Sequence, residues 1–390
     1  MPLRLLNPLR DFFRKGDTVL LALCVISNLF GLLLIYSSTQ YMPNQRYLRY
    51  VLVQTLAMLI GIVVYILLTY VDVERIVEKY WKLLLVFNIA MILILKPLGN
   101  DDGTGNKSWI KLPLIPFNLQ PAEIVKITFI LLLSYQIVRL KQKGDISSFR
   151  SVVQLAFHTL LMSGLIAVIS GDMGMVLVYL FLFVIIAWAA GIKLRWFLLA
   201  GGAVGALGYL AWPHLPNYIR MRISVVFDHT LDPTGIGYHQ LRSLLAIGSG
   251  QLSGQGLLHG TQTQSASESA LFARHTDFVF SAAAEELGML GCLLIMVLLF
   301  AIVIRCFHVA RNADSPFSAY LVTGFAGMIA IQTMLNIGMC LFVSPTVGLT
   351  LPFFSYGGSS IITTYAAMGL VSGAKMRSLP SWLRGQHTAA

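Results

Sequence analysis

The stretch ARHTDFVF (273–280) opens directly into SAAAEELGMLGCLLIMVLLFAIVI (281–304). A hydrocarbon core about 30 Å thick is crossed by roughly 20 mostly apolar residues in a helix, and this run is longer than that. Read as a transmembrane helix, it sets the fold class of everything around it. It also poses a chemical question, because an arginine, a histidine and an aspartate stand together at its mouth.

Nine further apolar runs bounded by charge or turn residues lie near 18–37, 50–70, 82–96, 122–139, 151–170, 174–190, 195–212, 318–343 and 357–374. Composition agrees, with 56% hydrophobic and only 12% charged residues, against about 25% charged in soluble domains. The sequence predicts an all-α polytopic integral membrane protein of about ten transmembrane helices, one domain over 1–390. A large extracytoplasmic loop, 213–279, separates helices 7 and 8.

The net charge of +11 follows the topology. With the N-terminus inside, 18 of the 28 Lys and Arg residues fall on inner segments, among them Arg4, Arg10, Arg75, Arg139, Lys143, Arg305, Lys375 and Arg384. The positive-inside rule then places both termini in the cytoplasm. Nucleic acid is excluded as a partner, since it would need the basic residues gathered on one face. No small-residue cleavage site follows the first run, which reads as a retained helix. Cys24, Cys292, Cys306 and Cys340 fall within spans or at their ends and suit neither a disulfide framework nor a CxxC metal site.

Two outer segments are long. The first, 97–121, is dense in Gly, Asn, Asp and Pro and reads as turns, with Trp109 as an interfacial anchor. In the second, YIRMRISVVF (218–227) and GYHQLRSLLAIGS (237–249) read as helices on the membrane surface. GSGQLSGQGLLHGTQTQSASES (248–269) reads as an exposed or substrate-facing loop.

Ionisable groups inside a bilayer are functional candidates by default. Glu123 and Lys126, spaced i, i+3, share a helix face and read either as a neutralising pair or as the polar lining of a substrate cavity. Glu285 and Glu286 point about 100° apart and read as packing against neighbouring helices. Asp277, or Thr276, could cap the helix that follows; alternatively Asp277 is a general base at an outer cavity beside Arg274 and His275. Gln332 and Asn336 suit interhelical hydrogen bonds. In LPFFSYGGSS (351–360) a proline turn and two glycines precede the last span, either as a plain turn or as a break that lets Ser355 and Tyr356 face a cavity. There is no P-loop, GxGxxG, HExxH or GxSxG.

Several long motifs in order carry a resemblance: KSWIKL with FNLQPAEIVK (107–126), GDMGMVLV (171–178), DPTGIGYHQLRSLLAIGSGQLSGQGLLHGTQTQ (232–264), RHTDFVFSAAAEELGMLG (274–291), NIGM (336–339) and LPFFSYGGSS. Across nearly the whole chain they are similar to the SEDS family of bacterial membrane proteins, with its RodA, FtsW and SpoVE branches. AIGSG, GTQTQ and RHTDF look most like the RodA, or elongation, branch.

The resemblance implies a ten-helix peptidoglycan glycosyltransferase of the bacterial cytoplasmic (inner) membrane, polymerising lipid II on the extracytoplasmic face. The acid of its HTDF motif, here Asp277, is the family's proposed catalytic base. The C4 hydroxyl of N-acetylglucosamine attacks the anomeric carbon of the donor's N-acetylmuramic acid and expels undecaprenyl pyrophosphate. An α-linked donor gives a β-1,4 product, so the step inverts and one base suffices. Lys126, Arg274, and Arg46 or Arg49 are candidate cations for the pyrophosphate. Glu123, His275, Trp109, Ser355 and Tyr356 complete the expected substrate contacts. A divalent cation, Mg or Mn, is compatible with a pyrophosphate leaving group, although no ligand cluster demands one.

The resemblance also implies a class B penicillin-binding protein and other elongation-complex proteins as partners. Departures from the family pattern are Leu271-Phe272-Ala273 where a Pro-Glu pair is usual and Val53 before Gln54, which weakens the case for Arg49. Competing readings are a lipid II flippase, an FtsW-like division polymerase and a cell-wall scaffold.

Overall fold

The computed structural model describes residues 11–42, 46–100, 106–113, 116–267 and 270–378. Arg4, Arg10 and Arg384 of the inner basic set, and 101–105, 114–115 and 268–269 of the outer segments, lie outside the described residues. Helices cover all ten expected runs: α1 (Thr18–Thr39), α2 (Arg46–Tyr70), α3 (Val73–Leu93), α4 (Pro121–Lys143), α5 (Phe149–Ile169), α6 (Met173–Ala189), α7 (Leu194–Ala211), α10 (Val279–Arg311), α11 (Pro316–Cys340) and α12 (Gly358–Arg377). Two more, α8 (Asn217–Phe227) and α9 (Tyr238–Gly250), lie in the long outer segment. Among the described residues there is no strand, only isolated bridges pairing Asn100 with Trp109 and Ile110 with Leu119.

Eight helices are long and apolar enough to cross a membrane; α6 is apolar but shorter, and α12 is not among the eight. The reason is position. From Gly358 to Ala374 nearly every residue of α12 is buried by protein, so its environment is other helices and it can carry Ser, Thr and Gly. Glycines let it approach α2 closely: a Cβ at Gly369 would meet the Tyr65 backbone, and one at Gly373 would lie 2.8 Å from Thr69 O. At the other extreme, α7 buries no residue and is a peripheral, lipid-facing helix.

At the basic end, Asp17 ties three helices together. It is fully buried, accepts from Leu20 N at the start of α1, and pairs with Arg305 of α10 at 2.9 Å and Lys375 of α12 at 3.4 Å. All four cysteines are free and buried.

The run that opens the sequence reading is not one unbroken helix. Gly288 sits at φ +67°, ψ −164° inside α10. The main-chain groups this break releases are taken by the preceding loop. Gln255 N and Gly256 N donate to the carbonyls of Glu285 and Glu286, while Met289 N and Leu290 N donate to Gln251 O and Leu252 O. A broken helix within a membrane protein is tolerated where protein satisfies its backbone in this way. A Cβ at Gly288 would collide with Gly254 N and Leu252 O as well as meeting the left-handed φ penalty. Gly288→Ala is therefore expected to cost at least about 2 kcal/mol and to appear as a loss of monodisperse protein in detergent gel filtration.

This interlock corrects three expectations. GSGQLSGQGLLHGTQTQ is not a free loop: Glu285 accepts from Thr261 Oγ1, Gln262 N, Thr263 N and Thr263 Oγ1 at 2.6–3.0 Å, and Glu286 accepts from Ser37 Oγ and Gln264 Nε2. Glu285 is therefore the anchor of that loop and not a helix-packing residue, while Glu286 does both, meeting Ser37 of the neighbouring helix α1 as expected and holding Gln264 of the loop. Nor is α9 a surface helix. Gln240 donates to Met339 O and Ser344 O, and Ser243 to Cys340 O, which fixes α9 against the end of α11.

Candidate active site

Asp277 lies in the turn before α10, and its placement rests on main chain. Asn336 Nδ2 donates to Asp277 O at 2.8 Å and to Leu349 O at 2.7 Å. Asn336 thus bonds two loops rather than a neighbouring helix. Ser355 Oγ donates to Thr276 O at 2.6 Å, and Tyr356 N donates to His275 O at 2.8 Å. Gln54 of α2 locks the other side, giving Nε2 to Ser355 O and taking Gly357 N. The HTDF turn is thus clamped to the 351–357 turn, and Ser355 works through its backbone partners as a positioning residue.

The capping role is not what the structure shows. The N-cap of α10 is Phe278 without a side-chain hydrogen bond, and Thr276 Oγ1 donates back to Ala273 O. Neither Asp277 carboxylate oxygen has a hydrogen-bond partner among the described residues. Gly348, at φ +63°, lies beside the carboxylate, where a Cβ would sit 3.8 Å from Oδ2. Asp277 keeps partial solvent exposure although protein surrounds it closely. Burial, with a smaller push from Asp172, raises the carboxyl to about 6.

Asp172, in GDMGMVLV, is a candidate that its place in the sequence does not reveal. It caps α6 through Met175 N at 3.0 Å and accepts from Gln120 Nε2 at 2.9 Å, so in sequence it looks like an ordinary N-cap. Its own carboxyl is raised, by burial first and then also by Glu123. A line of acids therefore runs from Glu123 in α4 through Asp172 to Asp277. Lys126 sits at its far end, 2.8 Å from Glu123, with both side chains almost wholly buried and Thr363 Oγ1 also on Glu123.

Arg274 does not join that group. Its buried guanidinium donates to the carbonyls of Gln262, Thr263 and Ser265 and lies 3.4 Å from the Tyr41 ring centroid. It organises the same loop that Glu285 holds, which corrects its expected place among the pyrophosphate contacts. His275 packs between Tyr50, at 4.9 Å, and Tyr356, at 5.9 Å. Burial, aided by Arg274, lowers it to about 4, so it is neutral at pH 7. Arg49 is exposed at the start of α2, close enough to Tyr356 for its charge to act on that phenol. Trp109 is half-buried in the first outer segment, where its carbonyl accepts from Asn100 N.

The family model described as a cell cycle protein, FtsW/RodA/SpoVE, matches residues 17–378. The chain belongs to the FtsW/RodA/SpoVE family. Among similar family members, the probable peptidoglycan glycosyltransferase FtsW of Geobacter metallireducens is 30% identical over 369 residues, covering 93% of this chain and 95% of its own. The peptidoglycan glycosyltransferase MrdB of Escherichia coli K12 is 31% identical over 318 residues, covering 80% and 81%. A solved chain from a peptidoglycan synthase complex that coordinates polymerization and crosslinking superposes with a TM-score of 0.78 at 27% identity, over 93% of this chain and 98% of its own. This FtsW/RodA/SpoVE protein is a multi-pass membrane protein. Identity does not separate its branches, since FtsW and MrdB relatives match at 30% and 31%.

Proposed function

We propose that Asp277 is the general base of an inverting glycosyl transfer that joins lipid II units on the extracytoplasmic face of the bacterial inner membrane, with both termini cytoplasmic. The chain is a peptidoglycan glycosyltransferase. One observation carries the assignment of Asp277: a partly exposed carboxylate, held by its backbone, bound by no donor among the described residues and raised toward neutrality. An acid already accepting several donors is a weaker base, because those bonds stabilise its ionised form.

Asp277 accepts the proton of the acceptor's C4 hydroxyl as that oxygen attacks the donor's anomeric carbon. The C1–O bond to the pyrophosphate breaks on the opposite face, and the electron pair leaves with undecaprenyl pyrophosphate. Arg49, exposed beside Tyr356, is a cation for that leaving group, with Arg46 also exposed at the start of α2, whereas the charge of Lys126 is already matched by Glu123. Among the described residues no three Cys, His, Asp or Glu side chains gather to hold a metal. A bridging Mg or Mn ion, carried by the substrate pyrophosphate, stays compatible with this reading. The finer reading is the elongation branch, supported by AIGSG, GTQTQ and RHTDF. Its partners are a class B penicillin-binding protein and other elongation-complex membrane proteins.

The test is polymerisation of lipid II by the purified chain with a class B penicillin-binding protein whose crosslinking site is blocked, read as glycan strands on a gel. Absence of strands together with lipid II crossing a proteoliposome bilayer would instead select the flippase. The pH profile provides a second check. A base is active when deprotonated, so the rate is expected to rise through about pH 6 and level off above it, falling tenfold per unit on the acid side. A profile flat from pH 5 to 8 removes Asp277 from the role.

A further inference from the structure

At the basic end of the bundle, away from Asp277, α3, α4 and α5 enclose a cavity of ≈ 280 Å³. Arg139 and Lys143, in the last turns of α4, line its outer part. The Arg139 guanidinium lies over the rings of Trp81, at 5.8 Å, and Tyr135, at 5.6 Å, which orients the cation but leaves its charge unanswered. Among the described residues no carboxylate pairs with Arg139 or Lys143, and no acid lines the cavity.

Deeper in, His158 is nine-tenths buried, with Nδ1 3.1 Å from Gln136 Oε1 and Nε2 without a partner. With Nδ1 assigned as the donor to that oxygen, Nε2 is an unfilled acceptor. The rest of the lining is mostly apolar, with Leu132 and Leu161 at the deep end. From Lys143 and Arg139 through Gln136 to Leu132, cations, an uncharged polar group and apolar wall follow one another over about 16 Å of helix. A phospholipid has the same order: phosphate, glycerol ester, acyl chain.

We propose that this cavity binds one anionic glycerophospholipid of the cytoplasmic leaflet, its phosphate on Arg139 and Lys143, its glycerol region beside Gln136 and His158, and an acyl chain along Leu132 and Leu161. A free phosphate has no use for the apolar floor. An apolar helix from another protein would bury the two cations without answering them, which is costly in lipid.

The experiment is native mass spectrometry of the full chain in detergent, titrated with phosphatidylglycerol or with phosphatidylcholine. Phosphatidylglycerol is expected to bind in preference, and the double variant Arg139→Ala, Lys143→Ala is expected to weaken it roughly 10- to 30-fold. Leu161→Trp, which fills the apolar end and leaves both cations in place, is expected to weaken it as well. Equal binding of the two lipids, or variants that bind like wild type, overturns the proposal. So does displacement of the lipid by inorganic phosphate with Leu161→Trp silent, since that describes a soluble-anion site. Thermal melts without lipid check the fold of each variant; should the double variant not fold, lipid preference and Leu161→Trp decide the matter on their own.

Discussion

Asp277→Asn is expected to abolish lipid II polymerisation while leaving the protein folded. Asparagine matches aspartate in size, and neither carboxylate oxygen gives up a hydrogen bond among the described residues. The placement of the turn depends on the Asp277 carbonyl, which the substitution keeps. Loss of a general base costs typically 10²–10⁴ in rate, about 3–5 kcal/mol of barrier.

Stability separates this from a structural effect. The folded carboxyl, raised to about 6, lies above the unfolded value of about 3.9. The fold therefore binds that proton more tightly than the open chain does, and stability falls as pH rises from about 4 through 6. Above pH 6 the ionised carboxylate is a burden that asparagine removes. The variant is expected to melt at the same temperature as wild type or higher at pH 7.5, and to lose that advantage at pH 4. A variant that polymerises at the wild-type rate transfers the role of base to another residue; one that melts early makes Asp277 structural.

Glu285→Gln is the second large effect. Its two oxygens accept four hydrogen bonds from residues 261–263, and the side chain is fully buried. An amide puts its NH2 group against a backbone N–H whichever way it is turned, so that bond is lost and the N–H is left unsatisfied, while the threonine hydroxyl on the same side must turn round to accept. Losing a charged acceptor and leaving a buried N–H unpaired costs about 2–4 kcal/mol. The expected result is faster proteolysis within 251–267 and a lower melting temperature, with polymerisation lost as a consequence. Protection of the loop equal to wild type would mean that the Gly288 interlock, and not the carboxylate, holds it.

The ten helices were legible because an apolar run of this length has no other stable state in lipid, and the Glu123–Lys126 pair because i, i+3 spacing dictates a shared face. The clamp around Asp277 was not legible. Asn336, Gln54 and Ser355 reach it through backbone atoms from elements tens to hundreds of positions away, and a carbonyl acceptor leaves no mark on the sequence. The role of Glu285 was hidden for a related reason: an acid in an apolar run looks like a packing residue, and only the break at Gly288 reveals that a loop is threaded beside it. Asp172 was hidden by having an ordinary job as well, since a cap and a charged neighbour of the base are the same residue. Arg274 stands in the most suggestive string of the chain, yet its guanidinium is spent on the loop carbonyls.

The burial of Cys24, Cys292, Cys306 and Cys340 makes the folded protein silent to thiol reagents in water. A cysteine introduced at an exposed position near Asp277 or at the mouth of the basic cavity would be the sole thiol to react, with no need to strip the native ones. The same four side chains then become a built-in clock for global opening, because each is released to a maleimide only when the helices around it separate.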